Sequence, residues 1–243
     1  MMDAGTFLLI ASSGIVVVAI SHFLDRIWAS AVPFHAVYLF IRAPGVILHE
    51  CAHILGCFLT GARIRNIVLF SQDGGSVTYS RPAIPFLGDV IISTAPLFVI
   101  PLALSVMTWF FAEYAGCVFP VFPVTLTSQA TFMDLGGAIS TLFFDNLVSR
   151  FNGWFLIYLY LTVSLVLSVA PSTQDMKNAA EGSLLLILAG IIVVWSGIPW
   201  AEAAAEELVR LLGYGFMMGL VFGLIAFIVS LPPAAWHLVR RGW

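Results

Sequence analysis

The chain contains 243 residues, of which 60% are hydrophobic and 9% are charged, and its formal net charge is -3. Soluble globular domains are about 45–50% apolar, so this composition excludes an ordinary soluble domain and indicates an integral membrane protein embedded in a lipid bilayer. The ten Lys and Arg residues occur singly or in pairs, which leaves no basic patch that could follow a phosphate backbone, and we expect no nucleic-acid partner.

Six apolar segments have about the length of 20 residues that a membrane-spanning helix needs. The sequence therefore predicts an all-α polytopic membrane protein, with residues 1–243 forming one membrane-embedded domain. The first segment is interpreted as a retained helix and not as a signal peptide, because an acidic residue and no basic residue precedes it. The segment 113–150 is too mixed in polarity to predict a span. The predicted helices are 6–24, 34–60, 85–111, 154–170, 183–200 and 209–231.

The distribution of basic residues predicts which side of the membrane is cytoplasmic. If the six helices alternate in direction, the face that carries both chain ends receives more basic residues than the other, and the positive-inside rule makes it cytoplasmic. The first face receives Arg63, Arg65, Arg81, Lys177, Arg240 and Arg241, and the second receives Arg26, Arg150 and Arg210, with Arg42 ambiguous. We expect a prokaryotic plasma membrane, because a minimal chain without appended domains suits that setting.

The most informative motif is His49-Glu50-Cys51-Ala52-His53, which lies inside the second predicted helix. Residues four apart share a helix face, so His49 and His53 can both direct a ring nitrogen at one zinc ion while Glu50 faces the bound water. A lone buried histidine is more often a hydrogen-bonded core residue. Three ionisable side chains in a membrane helix are costly, however, and that setting favours a catalytic zinc site.

A catalytic zinc ion usually takes three protein ligands and one water, whose pKa falls to about 7 on binding. The predicted third ligand is Asp175, because it follows the fourth helix on the same side as the end of the second. Asp134, Asp145 and Cys57 are the alternatives, and Asp175 could instead complete a helix N-cap box with Ser172. Glu50 is the predicted general base, which accepts a proton as water attacks a peptide carbonyl and delivers it to the leaving amine.

A β-hairpin is predicted directly after the second helix. The β-prone runs 64–70 and 76–80 are joined through Asp73-Gly74-Gly75, which is a strong turn signal. An exposed edge strand beside zinc could hold an extended substrate by β-addition. The residues alone leave open the alternative that the hairpin only ties two helices together.

These motifs together resemble the site-2 proteases, a family of intramembrane zinc metalloproteases. The resemblance is carried by the zinc-binding motif, by Gly61 at the end of that helix, by the glycine-containing hairpin and by the small residues Ser93-Thr94-Ala95-Pro96 that begin the next helix. It resumes at Ser168, Pro171 and Asp175, where the family has an Asn, a Pro and a metal-binding Asp. This chain departs from the family in having Ser168 in place of Asn and Met176 in place of Gly.

The resemblance implies hydrolysis of peptide bonds in transmembrane proteins or peptides, with one zinc ion as cofactor. It also favours substrate binding by the hairpin residues Gly74, Gly75, Ser76 and Val77. Access would be controlled by the helices themselves or by another membrane protein acting as a regulatory partner. The departures near Asp175 keep an inactive, client-binding relative as one alternative. A zinc-binding transporter is the other, although the fifth and sixth helices offer no acidic or histidine residue at mid-depth.

Overall fold

The computed structural model describes residues 4–72, 74–123 and 129–241, and these residues form seven helices and one two-stranded hairpin. The helices are α1 (Ala4–Ala31), α2 (His35–Thr60), α3 (Leu87–Tyr114), α4 (Gln129–Phe143), α5 (Gly153–Leu167), α6 (Thr173–Ser196) and α7 (Pro199–Arg241), and a π-helical turn (Phe144–Ser149) follows α4. The hairpin strands are β1 (Ile64–Val68) and β2 (Ser76–Tyr79).

The predicted all-α polytopic class with a hairpin after the second helix is confirmed. Within the described residues, four helices are long and apolar enough to cross a bilayer, namely α1, α2, α3 and α7. α5 is apolar but shorter, and several side chains of α6 lie outside the described set. These four helices, with the shorter α5 and the partly described α6, are broadly compatible with the six predicted spans of an integral membrane protein.

The helices in the second half of the chain begin and end at different residues from those predicted. α5 ends at Leu167 and not at 170, because Pro171 lacks the N–H that would continue its hydrogen bonding. α6 begins at Thr173 and not at 183, because Ser172 caps it. Gly197, in the left-handed region at φ 63°, ends α6, and α7 begins at Pro199, so the predicted break at 201–208 is helical.

The mixed segment 113–150, for which no span was predicted, contains α4 and the π-helical turn. Residues 124–128 lie outside the described part of the chain. Asn146 in the π turn is 1% exposed, donates to the carbonyls of Val118 and Leu142 at 2.7 and 2.8 Å, and accepts from the Val118 N–H at 2.9 Å. One buried amide thus satisfies the extended backbone near Val118 and fixes it against α4.

Helix α2 packs closely on α5, and its sequence explains how. Pro44 has no N–H, which frees the carbonyl of Phe40 one turn earlier, and the Tyr160 hydroxyl of α5 donates to that carbonyl at 2.9 Å. A Cβ added at Gly45 would overlap the Ser164 carbonyl and lie 2.6 Å from Ser168 Oγ. The glycine therefore allows the end of α5 to approach α2 beside the histidine motif.

Helix α7 packs against α1 through a stripe of small residues. A Cβ added at Gly219 would lie 3.1 Å from the Val17 side chain, and one at Gly223 would lie 3.4 Å from Ile20. The stripe is thus used for close packing within the chain.

We expect Gly45→Ala to lower the midpoint of thermal unfolding in detergent, because the added methyl group overlaps α5 backbone. Overpacking of this kind costs about 1–3 kcal/mol. Gly136→Ala on α4 is the matched control, since a Cβ there meets nothing within 4 Å. Equal unfolding midpoints for the two variants would contradict the close contact between α2 and α5.

Candidate metal centre

The two histidines of the motif lie one turn apart on α2 and are both buried, with relative exposures of 9% for His49 and 6% for His53. His49 Nδ1 lies 2.6 Å from the carbonyl of Ser168, and His53 Nδ1 lies 2.8 Å from the carbonyl of Ile92. A carbonyl oxygen only accepts, so Nδ1 donates in each ring. These contacts orient both rings and leave each neutral imidazole with its lone pair on Nε2.

The carbonyl acceptors are available because of the surrounding helices. Ser168 follows the last residue of α5, where a helix has no further N–H groups to satisfy its carbonyls. Ile92 lies near the start of α3, and a Cβ added at Gly56 of α2 would lie 2.8 Å from its Cα. Two close helix approaches, at Gly45 and Gly56, therefore bring backbone oxygens to the two imidazoles.

The two Nε2 atoms face each other 3.1 Å apart, and the Asp175 carboxylate completes the cluster. Asp175 Oδ2 lies 3.8 Å from His49 Nε2, and Oδ1 lies 3.4 Å from His53 Nε2. Two lone pairs and a carboxylate at this separation repel one another unless a cation lies between them. Ligands about 2.0–2.1 Å from a tetrahedral zinc ion lie roughly 3.3 Å apart, so the donor set fits a metal ion of that kind.

Asp175 makes both sets of contacts that the sequence presented as alternatives, those of a helix cap and those with the two histidines. It occupies the third position of α6, where its Oδ2 accepts from the Ser172 N–H at 2.9 Å and its N–H donates to Ser172 Oγ at 3.1 Å. The capping box is therefore present. The cap holds the carboxylate in the orientation in which it meets both histidines, so the cap positions the candidate ligand.

The other candidate ligands lie elsewhere. Cys57 is fully buried beneath the hairpin, where it packs with Ala62 and Ile92. Asp134 lies on α4 and Asp145 in the π turn, and among the described residues neither belongs to a cluster that could hold a metal. The described part of the chain contains one such cluster, which consists of His49, His53 and Asp175.

Glu50 lies beside this cluster, 6% exposed, and is covered by the turn of the hairpin. A Cβ added at Gly75 would lie 2.8 Å from Glu50 Cδ and from Oε1, and closer still to Cγ. Gly75 is thus a position at which the backbone lies directly on the carboxylate side chain. The sequence predicted Gly75 as a turn and substrate-binding residue but gave no signal of this contact with Glu50.

The remaining predicted hairpin residues lie along the turn and the second strand. Gly74 adopts φ 110°, which favours glycine, and its N–H donates to the Ser71 carbonyl at 3.2 Å. Ser76 pairs with Val68 and Val77 with Ile67 across the antiparallel ladder. Asp73, the first residue of the predicted turn, lies outside the described residues.

Tyr79 fixes the base of the hairpin between two helices. Its hydroxyl lies 3.3 Å from Asp89 Oδ1 at the start of α3 and 3.5 Å from Asn178 Nδ2 on α6. Burial, together with the nearby Asp89 charge, raises the pKa of Tyr79 to about 12, so the hydroxyl keeps its proton and donates to Asp89. The hairpin is thereby anchored to the same two helix starts that contribute to the metal cluster.

A cavity of about 390 Å³ extends from the hairpin turn along α2. Its volume falls in the range of about 300–1,000 Å³ that is typical of ligand pockets. Ser168 Oγ is buried on its wall without a hydrogen-bond partner. The cavity also contains charged residues that the sequence analysis did not assign to the site. Its polar lining comprises His22, Asp25, Arg42, His49, Glu50, Ser168, Ser172 and Thr173.

Of the comparisons with known proteins, the one with protein-family models yields a match. The model of the Peptidase M50B-like family matches residues 13–133, a region that contains α2 with both histidines and Glu50, the hairpin and α3. Neither the curated proteins nor the solved structures yield a match. On the family match, and in agreement with the resemblance to site-2 proteases, the chain belongs to the Peptidase M50B-like family.

Proposed function

We propose that this protein is an intramembrane zinc metalloprotease that hydrolyses peptide bonds of transmembrane proteins or peptides. The observation that carries the proposal is the convergence of two imidazole lone pairs and one carboxylate beside the buried carboxylate of Glu50. The family match supports peptide hydrolysis, and the apolar helices support a site within the membrane.

In this proposal His49, His53 and Asp175 hold one zinc ion, and Glu50 is the general base. The bound zinc ion would supply Lewis-acid chemistry and an activated water whose pKa is about 7. Glu50 takes the proton of the attacking water and delivers it to the leaving amine. The carbonyls of Ser168 and Ile92 hold the imidazoles in place through this proton transfer, because each accepts from an Nδ1–H.

The hairpin is the proposed substrate-binding element. Gly74 and Gly75 line the cavity beside Glu50, and β2 continues from them through Ser76 and Val77. Among the described residues β2 pairs only with β1, so its other edge can accept an extended substrate strand. A transmembrane helix must unwind before it is cut, and pairing with β2 would hold the scissile peptide extended over Glu50.

We further propose that the site opens toward the cytoplasm of a prokaryotic cell, with access controlled by the helices or by a separate membrane partner. The motif lies in the second half of α2, α3 contributes from its second turn and α6 from its first. The basic residues Arg63, Arg65 and Arg81 are in or near the hairpin on this side, which the positive-inside rule assigns to the cytoplasm.

The proposal is tested with purified protein in lipid nanodiscs and a model transmembrane peptide. We expect one zinc ion per chain by elemental analysis, cleavage of the peptide, loss of cleavage after chelation and recovery when zinc is restored. The bound ion completes the donor set, so its removal takes away both the Lewis acid and the activated water. Cleavage that persists in metal-free protein would contradict the proposed chemistry.

Asp175→Ala tests the third ligand separately. The variant loses one of three protein ligands, so we expect zinc affinity to fall by at least the roughly 10–100-fold that loss of an outer-shell partner alone costs. Asp134→Ala, which removes an exposed carboxylate of α4, is the control for net charge. Unchanged zinc affinity in Asp175→Ala would remove Asp175 from the ligand set while leaving the histidine pair in place.

A further inference from the structure

A charged pair lies in the cavity away from the metal cluster, between α1 and α2. Arg42 Nε lies 3.3 Å from Asp25 Oδ1, and the Tyr38 hydroxyl donates to the same oxygen at 2.8 Å. The Arg42 guanidinium also lies 6.0 Å from the centre of the Tyr38 ring. Both charged side chains remain partly accessible, with 31% of Arg42 and 25% of Asp25 exposed, and both line the cavity.

Arg42 lies on the same face of α2 as the metal site. It precedes Val46, His49 and Glu50 by four, seven and eight positions, and all four residues line the cavity. A separation of seven residues is about 10 Å along a helix. Arg42 therefore lines, about two helical turns along α2, the same cavity that Glu50 and the hairpin turn line.

The Asp25 contact does not use all the donors of Arg42. A guanidinium has five N–H groups. The Nε–H of Arg42 is buried without a hydrogen-bond partner, even though the Asp25 carboxylate is near. Because Nε is buried, the accessible part of the side chain consists of its other atoms. Asp25 and Tyr38 thus lie against the guanidinium, and the Arg42 side chain remains partly exposed where it lines the cavity.

We propose that Arg42 forms a subsite for a carboxylate of the peptide that is hydrolysed, about three residues from the scissile bond. The inference rests on the proposed proteolytic function and names a specificity determinant of the same site. An extended peptide advances about 3.3–3.6 Å per residue, so about three residues span the distance from the metal cluster to Arg42. The carboxylate comes either from a Glu or Asp side chain or from a free C-terminus of the peptide.

The chemistry of the cavity favours a carboxylate over a neutral or cationic group. Among the lining residues Arg42 is the one that carries a permanent positive charge. A guanidinium matches a carboxylate geometrically through two parallel N–H donors. Placing an arginine in a membrane-spanning helix is energetically costly. Pairing with Asp25 offsets part of this cost, and contact with a substrate carboxylate gives a further reason for the arginine at this position.

The test uses a Leu/Ala transmembrane peptide in lipid nanodiscs, with one Glu moved through successive positions and the cut located by mass spectrometry. We expect kcat/KM to rise at least about tenfold over the matching Gln peptide when Glu stands about three residues from the cut, since charge-assisted hydrogen bonds are roughly twice as strong as neutral ones. A truncated peptide with a free carboxylate at that distance, compared with its amide, separates the two sources. Equal rates for all acid and amide pairs would overturn the subsite.

Variants then assign any preference to Arg42. Arg42→Gln should abolish the difference between Glu and Gln peptides, and Arg42→Lys should retain only part of it. In the charge-reversed pair, Asp25→Arg with Arg42→Asp, the link between α1 and α2 persists, and a Lys peptide should be favoured instead. If Arg42 serves only to tie the helices together, the Glu preference will persist in the reversed pair, which overturns the proposal.

Binding distinguishes failure of the subsite from failure of the proteolytic function. Zinc-loaded Glu50→Gln protein is titrated with fluorescent Glu and Gln peptides, with and without Arg42→Gln. Tighter binding of the Glu peptide that disappears with Arg42→Gln supports the subsite even if the wild-type protein cuts no peptide. Equal binding of the two peptides to Glu50→Gln protein overturns the subsite. It does not bear on the proposed hydrolysis, which the cleavage assay tests.

Discussion

Replacement of Glu50 by Gln is expected to lower the cleavage rate by about 10²–10⁴-fold, the contribution typical of a positioned general base. The amide has nearly the shape of the carboxylate but cannot accept a proton from the attacking water. Because Glu50 is not part of the candidate metal cluster, we expect zinc to remain bound at one ion per chain. Cleavage is followed with a model transmembrane peptide, and zinc is measured in the same preparation.

The neighbouring residue provides the matched control for this variant. Cys51 lies on α2 next to Glu50 but is exposed on another face, so Cys51→Ser should cleave at the wild-type rate. A Glu50→Gln protein that cleaves normally would show that proton transfer occurs through another group. Loss of zinc from Glu50→Gln would instead indicate that Glu50 contributes to the metal site.

The histidine pair could be located from sequence because its signal is local. Spacing by four residues fixes a shared helix face, and a membrane helix makes two imidazoles and a carboxylate too costly to be incidental. The place of the distant Asp175 could be predicted only with the topology as well. Asp175 lies on α6 and meets the histidines only because the end of α5 and the start of α6 lie beside α2. The capping box of Ser172 and the contact with both histidines are simultaneous, which the sequence could present only as alternatives.

The parts that sequence reasoning missed depend on long-range contacts. α4 lies in a segment whose polarity is mixed, so hydropathy gave no clear span, and the π turn depends on the buried amide of Asn146. The pairing of Arg42 with Asp25 was not predicted, because nothing local in the sequence shows that α1 and α2 bring the two residues together in the cavity. The spacing of Arg42 from His49, seven residues on one face, was the one available signal.

A large effect on cleavage is also expected at Gly75, where the proposed substrate-binding turn lies on the proposed general base, Glu50. Any side chain at this position must displace either the turn or Glu50, since its Cβ would lie 2.8 Å from the carboxyl carbon. We expect Gly75→Ala to lower the cleavage rate by about 10²-fold, the cost of a misplacement of roughly 1 Å at a catalytic group. Cleavage, zinc content and the unfolding midpoint are measured together.

The expected pattern separates an effect on catalysis from an effect on folding. The three atoms nearest to a Cβ at Gly75 all belong to Glu50, which is not part of the candidate metal cluster, so Gly75→Ala should keep its zinc and unfold at nearly the wild-type temperature. Gln72→Ala alters an exposed residue of the same turn and should cleave at the wild-type rate. If Gly75→Ala also cleaved at that rate, the hairpin would be free to move away from Glu50 at no cost, and the contact would not position the general base. A reduced rate with intact zinc would instead show that the turn positions Glu50. One glycine would then determine how closely a substrate strand on β2 approaches the carboxylate that transfers the proton.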